Sequence, residues 1–98
     1  MLFLVFQLGP ERYALEATQV VEVLPLVQTK NLPQAPRGIA GVLNYRGVPV
    51  PVVDLSEWTL GRAASARLST RVILVRSTDE SGRPRILGLQ AEHTTETI

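Results

Sequence analysis

Residues 44–55, Asn-Tyr-Arg-Gly-Val-Pro-Val-Pro-Val-Val-Asp-Leu, decide how the chain is read. The valines ask for a strand, yet Pro49 and Pro51 stand two apart. Both therefore withhold their N–H from the same side, while Val50 and Val52 keep theirs on the other. The spacing predicts a strand that pairs on one side only. Proline on an edge guards against aggregation, and an edge beside a docking surface would be written the same way. Both readings stay open. Gly47 stands where a tight turn between Tyr45 and Val48 needs a positive φ, and that turn presents Arg46 outward.

Outward from this stretch the pattern is mostly strands. Leu2 to Leu8 sets Leu2, Leu4, Phe6 and Leu8 against Phe3 and Val5, and Gly-Pro-Glu turns into Arg12 to Leu15, which predicts a hairpin buried on much of both faces. Ala17 to Leu24 fits a helical stripe as well as a strand, and is read as a short helical turn followed by a strand over Val20 to Leu24. Prolines 25, 33 and 36 mark a loop from Pro25 to Arg37. Gly38 to Tyr45 alternates as a strand. Asp54 followed by Glu57 starts a helix of barely two turns, with Trp58 and Leu60 as its apolar contacts and Gly61 as its stop. A small, polar connection leads to a second hairpin over Arg71 to Gln90, and the last residues, AEHTTETI, read as a polar tail. The fold class is all-β with one short helix, in two β-rich halves.

Composition excludes several functions. With 98 residues and 45% apolar content the chain suits one domain and one modest core. A net charge of +1 and few aromatics argue against nucleic acid. The absence of cysteine removes disulfides and thiolate metal sites and suits a cytoplasmic setting. The opening MLFLVF is too short and too soon interrupted for a signal peptide or a membrane span. His93, the one histidine, sits in the polar tail as a solvated residue. Asp54 and Ser56 read as helix-capping groups rather than triad members. No phosphate-cradling loop or ligand cluster is written, so no catalysis, cofactor or metal is expected. Arg62, Arg67, Arg71, Arg76, Arg83 and Arg85 are spread along strands and turns as a solvated set.

In order and spacing, FLVFQLGPERYALEATQVVEVLPL followed by LPQAPRGIAGVLNYRGVPVPVVDL resembles CheW-like domains, the coupling proteins of bacterial chemotaxis. Asn44-Tyr45-Arg46-Gly47 stands where that family carries Asn-Leu-Arg-Gly. The likeness is close over residues 1–60 and looser over 69–98, a partial second barrel within one domain of 1–98. It implies SH3-like β-barrels that exchange elements, the second incomplete here, because family domains continue through further strands. It implies a non-catalytic adaptor between the regulatory domain of a CheA-type histidine kinase and the cytoplasmic tip of a methyl-accepting chemoreceptor, without membrane insertion. The alternative is a small β-barrel module that oligomerises or binds extended peptides without a kinase.

The family's partner-binding surface maps onto Val20, Glu22 and Val23 and onto Asn44, Arg46 and Gly47. Core packing is the plain alternative for both valines, and a solvated turn for Arg46. Glu22 and Arg46, each a lone charge on an apolar element, are expected to lie together as an ion pair. A homo-oligomer is expected if a second copy supplies closing strands.

Overall fold

The structure is a computed structural model that describes residues 2–25, 38–61 and 70–97, with the backbone alone for His93 and for 95–97. The expected loop beyond Pro25, the connection after Gly61, and Arg62 and Arg67 lie outside the described residues, as does the His93 side chain.

The elements are β1 (Phe3–Leu8), β2 (Glu11–Glu16), a 3-10 turn (Ala17–Gln19), β3 (Val20–Pro25), β4 (Ile39–Tyr45), β5 (Val48–Asp54), α1 (Leu55–Leu60), β6 (Arg71–Thr78) and β7 (Pro84–Thr97). One sheet runs β3-β6-β7-β5-β4, and the end of β7 joins β1 and β2 in a second. No backbone ladder joins β3 to β4 among the described residues, so the first sheet is not closed. It nevertheless curls on itself, because Val21, Leu24, Leu43, Tyr45, Val50, Val52, Val72, Leu74 and Ile86 meet in one cluster fed by all its strands. This is the expected all-β, SH3-like arrangement with one short helix.

Two cores result from the period of two along a strand. On β6, Val72 and Leu74 fill the curled sheet while Ile73 and Val75 face Leu4, Phe6, Leu55 and Ala91 on its other side. The uninterrupted apolar run of β6 is thus a strand buried on both faces. Gly88 lets β7 pass between β5 and β6, since a Cβ there would sit 3.1 Å from Val52 Cγ2 and 3.3 Å from Val72 Cγ1.

Five expectations are corrected, the last of them at Ser56. First, β5 is one-sided only as far as its second proline: Val52 and Val53 pair with β4, and Val52 to Asp54 also pair, in parallel, with Gly88 to Gln90 of β7. Pro51 has no donor for the β7 side, and the ladder opens as soon as Val53 can supply one. Second, the tail is a strand. Its backbone pairs with β1 from Glu92↔Gln7 to Thr97↔Phe3, since a ladder uses main-chain groups and threonine is a good strand former. That pairing, with β5–β7, interlocks the two halves. Third, β2 is exposed from Glu11 to Ala14 instead of buried on both faces. Fourth, α1 buries Leu55 and Ser56 and leaves Trp58 66% exposed. So short a helix buries only the side that continues from its N-cap into the core. Asp54 caps it as expected, accepting from the Glu57 N–H, and Gly61 ends it in the left-handed region at φ 77°. Ser56 caps nothing; its hydroxyl donates to the buried Glu92.

Candidate functional site

The β4–β5 hairpin turns on two residues, with Tyr45 paired to Val48. Such loops need positive φ at both central positions to match the strand twist. Gly47 has φ 84° and Arg46 φ 51°, a type I′ turn. The turn chemistry of Gly47 was legible; the strain accepted by Arg46 followed from the same rule and went unread. Asn44 Oδ1 accepts from the Gly47 N–H at 2.8 Å and holds the turn.

Glu22 reaches this turn because β3 bulges between Val20 and Glu22, where the register with β6 shifts. A bulge places an extra residue on one strand and re-aims its neighbours. Val21 therefore enters the curled sheet, and Glu22 opposite Leu74 faces the open side between β3 and β4. There Glu22 Oε1 lies 3.5 Å from Arg46 Nη2. The expected ion pair is present.

Tyr45 is the member that sequence reasoning missed. Its hydroxyl donates to Glu22 Oε1 at 2.7 Å, and the Arg46 guanidinium carbon sits 5.2 Å from the ring centroid, within cation–π range. The hydrogen bond to Glu22, then desolvation, pushes the phenol above its ordinary 10.0, with Arg46 pulling the other way. An aromatic beside Arg in a turn facing an acidic strand was the available signal.

Val20 and Val23 fall on the opposite side of β3. They line a cleft of about 160 Å³ with Phe3, Leu4 and Ala17. Val20 also packs against the second core, whereas Val23 remains 38% exposed. The candidate residues thus form two groups, a polar cluster at the hairpin and an apolar cleft behind β3. Of the arginines, Arg76 donates to the carbonyls of Thr18 and Val20 and ties β3 to β6, while Arg83 and Arg85 are exposed. Among the described residues no group of three or more His, Cys, Asp or Glu is placed to hold a metal ion, and no helix is long and apolar enough to cross a membrane.

The model of the CheW-like domain family matches residues 2–98. The chain belongs to that family. Over 73 residues it is 42% identical to the chemotaxis protein CheW of Klebsiella aerogenes, covering 74% of this chain and 44% of that protein. The CheW of Helicobacter pylori is 28% identical over 96 residues, covering 98% and 55%. The crystal structure of the scaffolding protein TtCheW from Thermoanaerobacter tengcongensis superimposes with a TM-score of 0.78 at 31% identity, over 99% of this chain and 63% of that one. The chain spans about half the length of the curated relatives it matches. In this CheW-like domain the Asn-Tyr-Arg-Gly turn carries an aromatic residue tied directly to Glu22.

Proposed function

We infer that the chain is a non-catalytic adaptor of a chemotaxis-type signalling complex in the cytoplasm, coupling the regulatory domain of a CheA-type histidine kinase to the cytoplasmic tip of a methyl-accepting chemoreceptor. The observation that carries this is the match to the CheW-like domain across residues 2–98. Arg46 and Glu22, with Asn44 and Gly47 shaping the turn, form the polar docking group, and Val20 and Val23 form the apolar one. An exposed ion pair stabilises a fold by only roughly 0 to 1 kcal/mol. The pair serves instead to aim the guanidinium fork at a carboxylate or carbonyl of the partner.

The test is titration of the purified chain against the kinase regulatory domain and a receptor-tip fragment from the same organism. Arg46→Glu should weaken binding about tenfold or more with the melting temperature nearly unchanged. Adding Glu22→Arg should restore local order without full binding, because the partner keeps its polarity. Failure of the parent chain to bind either protein, or indifference of binding to Arg46→Glu, would sink this assignment.

A further inference from the structure

The contact between Arg46 and Glu22 is too loose to hold the arginine by itself. It runs at 3.5 Å through one guanidinium nitrogen, longer than the usual hydrogen bond, and leaves 78% of the Arg46 side chain exposed. A long side chain tied at one such point keeps most of its rotamer freedom. The turn gives no reason for an arginine either. Among the described residues Arg46 alone, glycines apart, takes a positive φ, at 51°, and a type I′ turn favours Asn, Asp or Gly at that position.

Tyr45 supplies what the pair lacks. Its ring packs against the cluster that holds Val50, Val52 and Leu74, and its backbone is paired with Val48, so the ring is a fixed surface. The Arg46 guanidinium carbon lies 5.2 Å from the ring centroid. The hydroxyl donates at 2.7 Å to Glu22 Oε1, the same oxygen that faces Arg46. One residue therefore holds both members, the cation by its ring face and the carboxylate by its hydroxyl. With few rotatable bonds of its own it does so at small entropic cost. A leucine at 45, as in the family signature, could pack on the same core but would offer neither a π face nor a donor.

We propose that Tyr45 is the positioning residue of the docking group, holding Arg46 so that its open edge takes a partner carboxylate through two parallel N–H···O bonds. The existence of that partner rests on the adaptor reading above; the aim rests on Tyr45. The ring covers one face of the guanidinium, and Glu22 draws on Nη2. What remains toward solvent is an edge of N–H donors. A carboxylate matches such an edge in plane, whereas a single carbonyl oxygen does not. Because the fork is set before the partner arrives, less of the arginine's freedom is lost on binding.

Two measurements on the full chain test this. In the free protein, NMR relaxation of the Arg46 Nε–H should show an ordered side chain. Tyr45→Leu should release it to the mobility of the exposed Arg83 and Arg85, with Tyr45→Phe, which keeps the ring, in between. In titrations against the kinase regulatory domain and the receptor-tip fragment, Tyr45→Leu should weaken binding about two- to fivefold. It should change nothing further once Arg46 is alanine, a coupling that a purely structural role of Tyr45 would not produce. Arg46→Lys keeps the charge but loses the fork, and should also bind more weakly than the parent. If Tyr45→Leu does not fold, Tyr45→Phe carries both measurements. An Arg46 side chain as mobile in the parent as in the Tyr45 variants would overturn the proposal whether or not a partner binds. So would an equal loss from Tyr45→Leu with and without Arg46, or full binding by Arg46→Lys. If the parent binds neither protein while Arg46 is ordered, the adaptor assignment fails and takes the carboxylate recognition with it, whereas the ordering of Arg46 by Tyr45 stands.

Discussion

The Tyr45 hydroxyl donates to Glu22 Oε1 at 2.7 Å across the open side of the curled sheet, where no ladder joins β3 to β4 among the described residues. One side-chain bond thus spans the gap beside the Arg46–Glu22 pair.

Because the folded phenol titrates above its ordinary 10.0, the contribution of this bond is whole below pH 10 and is lost as the pH rises through the folded value. Glu22→Ala should move one of the two phenolic transitions down in a spectrophotometric titration. The other belongs to Tyr13, held up by its hydrogen bond to Glu11, and should stay. Unchanged transitions in Glu22→Ala would contradict the geometry.

Gly47→Ala isolates the backbone demand of the turn. A Cβ there meets nothing within 4 Å, but φ is 84°. The variant should lose about 1 kcal/mol in urea unfolding with an unchanged m-value, and should weaken partner binding through Arg46. Full stability in Gly47→Ala would mean that the hairpin turns otherwise.

Gly88→Ala probes crowding instead of conformation. The added methyl would press on Val52, Val72 and the Pro51 carbonyl at 3.1 to 3.4 Å. Overpacking of this kind costs about 1–3 kcal/mol. Chemical denaturation should show it, and a cost near zero would place β7 farther from β5 than the structure has it.

Asp54→Ala removes the N-cap of α1. Caps of this type are worth about 0.5–2 kcal/mol, and with Asp54 only 3% exposed the loss should fall at the upper end. Asp54→Asn keeps an acceptor and should recover most of it. Equal destabilisation by both would show that the charge, and not the cap, is what matters there.

Several elements could be read directly from the chain because their causes are local. The β6 run, the capped and Gly-ended α1, the Gly47 turn and the hairpin closed by Asp79 and Gly82 depend on residues within one turn or one strand of each other. The Glu22–Arg46 pair was legible for a different reason: each is a lone charge on an apolar element, and the family resemblance maps both onto one partner-binding region.

Composition, periodicity and turn chemistry determined that this is an all-β chain with one short helix, and the ordered motifs determined its family. Tertiary structure alone decided the rest. A polar 91–97 became a strand because β1 offered it a free ladder, and β5 gained a second neighbour just past Pro51 because Gly88 let β7 come close. The bulge that separates Glu22 from Val20 and Val23 arose in pairing with β6. Strand partners are chosen by main-chain groups that every residue but proline carries alike, so side-chain pattern names the strands while only packing in three dimensions assigns their neighbours.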